Sequence, residues 1–187
     1  MKSIPFRRRL PLLFAAVLLP LQLQAQVLST ASSAGLSANL PESLSVSLTG
    51  GTPVNFGNLT ALGVTPASTP VSIQTVWVLS PSRGTVRLVG YFDTTSALTD
   101  GAGNNIASSN VKGRVTSGTP TSFTAFTQSI TGIGTAGASL ELFSEAISGT
   151  NKNKTRTDSL DLEIDLTGTQ LPAGSYTGTL RIQAIAL

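Results

Sequence analysis

Three carboxylates alternate near the C-terminus and form the densest set of side chains capable of chemistry in the sequence. Asp161, Glu163 and Asp165 stand within a run of alternating apolar residues. Alternate residues of a strand share one face, so these acids could act as an acid pair or as calcium ligands. Catalytic carboxylates need surroundings that shift their pKa, and acid pairs usually come from different elements. The pattern therefore favours a solvated outer face that keeps a sheet soluble and discourages edge pairing.

The residue types that are missing restrict the chemistry further. The 187 residues include no His and no Cys. This absence excludes a Ser-His-Asp triad, imidazole and thiolate ligands, and disulfides. No GxSxG or phosphate-binding glycine motif occurs. We therefore predict no enzyme activity, no catalytic residue, no cofactor and no metal site.

Two polar segments and a set of aromatic residues have alternative interpretations. Residues 99–105 resemble a calcium loop in composition, but they lack its terminal Glu and its alternating oxygen ligands, so we predict a turn. Lys152, Lys154 and Arg156 form a basic cluster, for which we predict a solvated hairpin tip rather than a ligand site. Six aromatic residues could form a carbohydrate platform, but we expect most to fill the core: Trp77, Tyr91, Phe92, Phe123, Phe126 and Phe143.

The elements that position these residues are predicted to be strands, because alternation with period two dominates the sequence. The first half predicts strands at residues 43–49, 54–59, 71–79 and 85–92. The last two are expected to pair as a hairpin through a turn at residues 81–84.

The second half predicts a loop at residues 93–105, followed by two short strands or one bulged strand within residues 106–116. Residues 140–147 favour a strand over a short helix, and a hairpin loop at residues 151–156 leads to a strand at 160–166. The last strand is predicted at residues 176–185. About seven to nine strands without a crossover helix predict an all-β antiparallel sandwich.

The N-terminus has the pattern of a secretory signal peptide. Lys2 and three arginines precede an apolar run of ten residues, and Ala25 suits the position before the cut. Ten apolar residues are too few to span a bilayer, which needs about 20. We predict a Sec-type signal peptide at residues 1–25, with the protein exported to the periplasm, the cell surface or the medium.

The formal charge of +3 belongs to that signal. The remaining 162 residues contain eight basic and nine acidic side chains, which gives a net charge of −1 and no basic surface for nucleic acid. This length fits one β-sandwich domain at residues 41–187. Residues 26–40 are uncharged and form either a flexible segment or an edge or donor strand.

Two motifs and the alternating strand before each carry a resemblance to a known group of proteins. These motifs, LPAGSYTGTL at residues 171–180 and VNFGNL at residues 54–59, resemble those of exported bacterial Ig-like modules of the pilin and spore-coat-U type and of related domains of unknown function. The resemblance implies an Ig-like sandwich that serves as a surface or appendage subunit, with no catalytic residue to carry over. The chain departs from chaperone–usher pilins in having no Cys pair.

The leading hypothesis is a secreted, non-enzymatic structural or surface-interaction module that associates with itself or with other surface proteins by strand pairing. The alternative is a ligand-binding module or adhesin for glycan or protein, with a contact surface at residues 93–105 and 149–158. An exposed Trp77 or Tyr91 would favour that alternative. A third hypothesis is a hydrolase that uses carboxylates alone, which needs acids from different strands in one cleft.

Overall fold

The computed structural model describes residues 29–187 of the chain, and the predicted signal peptide lies outside them. Residues 29–42 adopt no regular secondary structure, and Asn39–Leu187 form one compact unit. The described residues contain eleven strands: β1 Ser43–Gly50, β2 Val64–Pro66, β3 Val71–Val78, β4 Thr85–Tyr91, β5 Ser96–Thr99, β6 Asn105–Ala107, β7 Val111–Val115, β8 Thr124–Ala125, β9 Ser139–Ala146, β10 Asn153–Asp165 and β11 Arg181–Ala186. A single 3-10 turn, Ser108–Asn110, separates β6 from β7.

The strands form two antiparallel sheets that pack face to face. The larger sheet has the order β1-β3-β10-β7-β8, and β2 also pairs with β10. The smaller sheet has the order β11-β4-β9, and β5 pairs with β6 as a separate hairpin. The predicted all-β, Ig-like antiparallel sandwich is confirmed. Seven of the described strands have five or more residues.

The core lies between the two sheets, where each strand contributes alternate side chains. In β3 every second residue is buried, and β10 buries Leu160, Leu162 and Ile164 in the same way. The aromatic residues mostly fill this core, as predicted: Trp77, Phe92, Phe126 and Phe143 are buried, while Tyr91 and Phe123 are half-buried. The burial of Trp77 removes one of the two signs that would have favoured an aromatic carbohydrate platform.

Phe126 occupies a slot between two glycines on opposite sheets. A Cβ atom on Gly90 of β4 would lie 3.1 Å from Phe126 Cε1, and a Cβ on Gly113 of β7 would lie 3.3 Å from Phe126 Cε2. The ring also packs edge to face against Phe92, with 5.3 Å between the ring centroids. The sandwich can accommodate this fully buried ring because both facing strands lack a side chain there.

The predicted hairpin of residues 71–79 and 85–92 is wrong. Both segments form strands, but β3 belongs to the larger sheet and β4 to the smaller one. The segment between them crosses from one sheet to the other. Alternation shows which side chains face inward, and in a sandwich the inner face is common to both sheets. The pattern therefore could not identify the partner of either strand.

Three other predicted segments differ from the structure. Residues 54–59 form no strand, because the side chain of Asn55 accepts a hydrogen bond from Gly57 N and curls the backbone there. Residues 93–105 are not one loop, since they contain β5 and the first residue of β6. Residues 151–156 are not a hairpin loop: β9 and β10 lie in different sheets, and β10 begins at Asn153.

Other segments match the prediction. Residues 140–147 are a strand rather than a helix, and residues 106–116 contain two short strands. The final strand is shorter than predicted, since β11 begins at Arg181. Tyr176 is half-buried and its hydroxyl donates a hydrogen bond to Pro172 O over 3.0 Å, which closes the corner before β11.

Candidate functional site

The inner face of β10 changes from apolar to charged toward the start of the strand. Asp158, Arg156 and Lys154 occupy the same face as the buried Leu160, because alternate residues of a strand share a face. The predicted solvated hairpin tip is therefore wrong for Lys154 and Arg156. Of the three basic residues, only Lys152 lies in the connecting loop.

Arg156 is the centre of a hydrogen-bonded network at this end of the sandwich. Its Nε donates to Asp158 Oδ2 over 2.8 Å, and its Nη2 donates to Asp158 Oδ1 over 2.8 Å and to Ser117 O over 2.5 Å. Its Nη1 lies 3.3 Å from Glu145 Oε2 of β9. The guanidinium also lies 4.4 Å from the centroid of the Phe143 ring. The network thus joins the two sheets through charged groups.

The acids of this network are matched by cations. Lys154 Nζ donates to Glu145 Oε1 over 2.5 Å, and Asp158 is only 2 % exposed. Burial alone would raise the pKa of Glu145, but hydrogen bonds from Lys154, Asn151 and Arg156 hold that pKa below its ordinary value. The hydrogen bond to Asp158 raises the pKa of Arg156. These hydrogen bonds favour the charged forms of Glu145 and Arg156.

The predicted acidic row does lie on the outer face of β10, but it faces cations of β7 rather than open water. Asp161 accepts a hydrogen bond from Arg114 Nε over 2.9 Å, and Asp165 accepts one from Lys112 Nζ over 2.6 Å. In the antiparallel register of β10 and β7, Glu163 lies opposite Lys112. All three acids come from one strand, so they provide no pair of acids from different strands.

Two of these acids have shifted pKa values with different causes. The hydrogen bond from Lys112 holds the pKa of Asp165 well below its usual range, and Thr167 adds to this effect. Burial raises the pKa of Glu163, and the neighbouring charge of Asp165 adds to that shift against the opposing effects of Lys112 and Arg114. In this row Asp165 and Asp161 form cross-strand ion pairs with Lys112 and Arg114, whereas Glu163 forms no ion pair with any of the described residues.

The segment that resembled a calcium loop is the tip of the β5–β6 hairpin. Asp100 Oδ1 accepts hydrogen bonds from Ala102 N and Asn104 N, and Asp100 Oδ2 accepts one from Asn104 Nδ2. Gly101 and Gly103 have φ values of 75° and 102°. The carboxylate therefore closes its own turn, as predicted. Within residues 29–187, no group of three or more acidic side chains is arranged to hold a metal.

The two loops proposed as one contact surface lie at opposite ends of the sandwich. Residues 93–105 follow the end of β4, which pairs with the start of β9 and the start of β11. Residues 149–152 lead from the end of β9 into the start of β10, beside the end of β3. These two loops therefore cannot form one binding surface for a small ligand.

A groove that sequence analysis missed lies on the outer face of the larger sheet. Two shallow cavities, of about 180 and 310 Å³, both border Arg114 and Asp161. The guanidinium carbon of Arg114 lies over the half-buried Phe123 ring, 4.6 Å from the ring centroid. The groove combines residues of β2, β7, β10 and two loops, and their proximity depends on the pairing of β10 with both β2 and β7.

The other distinctive surface is the edge of β1, which is hydrogen-bonded to no described strand on that side and lies near β11 of the smaller sheet. Among the edge strands of the two sheets, β8 has only two residues and β2 only three, and Gln128 covers β9 by hydrogen bonds to Ser139 and Glu141. The edge strand β11 begins with Arg181, which is paired with Asp93. By contrast, β1 has eight residues, pairs only with β3, and contains neither charge nor proline.

Comparison with protein-family models and with curated proteins found no match to this chain. Within residues 29–187, no helix has the length and apolar character needed to cross a membrane.

Proposed function

We propose that this protein is a secreted, non-enzymatic structural module that associates with copies of itself through the free edge of β1. The observation that carries this proposal is the uncharged eight-residue edge. The pairing of Asp158, Asp161 and Asp165 of β10, and of Glu145, with cations supports a role without chemistry. The mechanism is addition of a strand to an existing sheet, in which the main chain supplies the hydrogen bonds.

The edge of β1 lacks most of the features that normally prevent pairing. A free strand edge presents unpaired N–H and C=O groups, and proteins usually protect it with charge, proline, short length or a covering loop. β1 has Ser and Thr on its outer face and one irregularity in its pairing with β3, between Leu48 and Gly50. Such an edge favours the addition of another strand.

The described residues before β1 are our candidate for the added strand, because they are exposed and pair with no strand. Residues 29–40 are uncharged and exposed, and they adopt no regular structure. Leu36 and Leu40 are 96 % and 76 % exposed, so both side chains are available for burial against a second copy. Burial of both leucines against a second copy would contribute roughly 1.5–3 kcal/mol for each side chain.

Light scattering of the mature protein across a concentration series tests this proposal. We expect the mass to rise with concentration, and we expect the rise to disappear when residues 27–40 are deleted. The double variant Ser45→Lys/Ser47→Lys should also reduce association, because it places two charges on the edge strand. The stability of each variant is measured by thermal unfolding.

A matched control uses the central strand of the same sheet. Thr155 and Thr157 lie on the outer face in the same cross-strand rows as Ser45 and Ser47, since each row shares Val76 or Gln74. Thr155→Lys/Thr157→Lys should therefore retain association if the edge is used. Equal loss in both variants would assign the contact to the face of the sheet instead. A protein that stays monomeric at every concentration would overturn the proposal.

Export can be tested separately by intact mass measurement and N-terminal sequencing of the protein recovered outside the inner membrane. The mature chain is expected to begin at Gln26, because Ala25 suits the position before the cleavage site. Replacing Ala25 with a bulky charged residue should cause the full-length precursor to accumulate. Recovery of the intact 187-residue chain outside the inner membrane would contradict cleavage.

A further inference from the structure

We propose that the groove around Arg114 and Asp161 binds a neutral saccharide. It lies across β7 and β10 on the outer face of the larger sheet, separated from β1 by β3. The inference is therefore independent of the proposed association at the β1 edge. It also places the ligand on a sheet face rather than on the loops at residues 93–105 and 149–158.

The polar centre of the groove is an ion pair that retains unused hydrogen-bonding capacity. Arg114 uses its Nε to donate to Asp161 Oδ2. Within the described residues, no other hydrogen bond involves the Arg114 Nη nitrogens or Asp161 Oδ1. The two side chains are 48 % and 29 % exposed. Adjacent donors and an acceptor match a vicinal diol, whose hydroxyls both accept and donate hydrogen bonds.

Apolar groups flank this centre, as in most small-molecule sites. Pro66 and Pro70 border the smaller cavity together with Phe123. A pyranose ring carries C–H groups on its faces and hydroxyls on its rim, so it can contact these groups while its rim reaches the ion pair. Threonine side chains border both cavities and offer further hydroxyl groups: Thr69, Thr116 and Thr121.

The charge balance of the groove argues for a neutral ligand. Arg114 and Asp161 are the charged residues that border the two cavities, and their charges cancel. An anion would meet the Asp161 carboxylate, and a cation would meet the guanidinium. A neutral polyhydroxylated ring avoids both penalties and uses both partners. The larger cavity, about 310 Å³, lies at the lower end of the usual range of about 300–1,000 Å³ for small-molecule sites.

The test is an NMR titration of the ¹⁵N-labelled mature protein with three neutral probes: maltose, lactose and N,N′-diacetylchitobiose. We expect saturable shifts of the backbone amide signals at residues 67–69, 114, 121–123 and 161 with at least one probe. Arg114→Ala and Asp161→Asn should each weaken binding of that probe about tenfold or more, which corresponds to about 1.4 kcal/mol. Both variants should stay folded, because exposed ion pairs contribute little to stability.

Arg87→Ala is the matched control, since Arg87 forms a comparable cross-strand ion pair with Glu141 on the other sheet. This variant should bind the same probe with unchanged affinity. Glucuronate and a proline-containing extended peptide test an acidic sugar and a protein ligand. The proposal is overturned if none of the neutral probes gives saturable shifts, if binding survives Arg114→Ala, or if only glucuronate or the peptide binds.

Discussion

Replacing Arg156 with methionine is expected to lower the free energy of unfolding by about 3–5 kcal/mol, because it leaves a buried carboxylate without its partner. The side chain of Asp158 has 0 % exposure, and both of its oxygens accept hydrogen bonds from the Arg156 guanidinium. Methionine keeps the apolar contact with Phe143 but supplies no donor. Urea unfolding at neutral pH, followed by Trp77 fluorescence, measures the loss.

A double variant separates the missing charge from the altered packing. Arg156→Met/Asp158→Leu removes both charges and should recover most of the stability lost in Arg156→Met, since apolar replacement of a buried ion pair is often neutral or stabilising. Arg83→Met breaks the exposed pair with Glu42 and should change the stability little. If the double variant is as unstable as Arg156→Met, the loss comes from packing and the explanation fails.

Replacing Phe126 with alanine is expected to cost about 3–5 kcal/mol of unfolding free energy, the usual cost of truncating a fully buried aromatic side chain. Phe126 has 0 % exposure, and its ring fills the slot above Gly90 and Gly113. Gly90 and Gly113 have no side chains, so neither residue can fill the cavity that the alanine leaves. Thermal unfolding monitored by circular dichroism gives the loss in Tm and tests the effect.

The glycine slot provides a second test of the same packing. Gly90→Ala should destabilise the natural protein, because its Cβ would lie 3.1 Å from Phe126 Cε1 and 3.3 Å from Ile182 Cδ1. In the Phe126→Ala background the same methyl group would enter the cavity, so its cost should fall or change sign. Strictly additive effects in this double-mutant cycle would show that the ring and Gly90 do not share the slot.

Alternation in the sequence predicted the all-β class and most of the longer strands correctly. The strand at residues 160–166 is an example, because its four apolar residues face inward as expected. The pairing of β3 and β4 could not be predicted, because both strands bury the same kind of side chain against one shared core. The polar composition of residues 151–156 suggested a loop, but the long strand β10 begins within this segment, at Asn153.

The charged network could have been predicted from the sequence, whereas the groove could not. Asp158, Arg156 and Lys154 continue the even-numbered positions of the buried Leu160, and extending that alternation upstream would have placed them on the inner face. The polar character of the three residues suggested a loop instead. The groove depends on β10 pairing with both β2 and β7, which are distant in sequence, so no local pattern could reveal it.

The position of β10 in the larger sheet determines when the fold can form. This strand lies between β3 and β7, yet it begins only at Asn153, in the last fifth of the chain. Until it is synthesised, β3 has only β1 to pair with, and β7 has no long partner. Contacts between residues so far apart in sequence slow folding to milliseconds or longer. A nascent chain would therefore lack a complete larger sheet while most of it is made, a state compatible with the export that we propose.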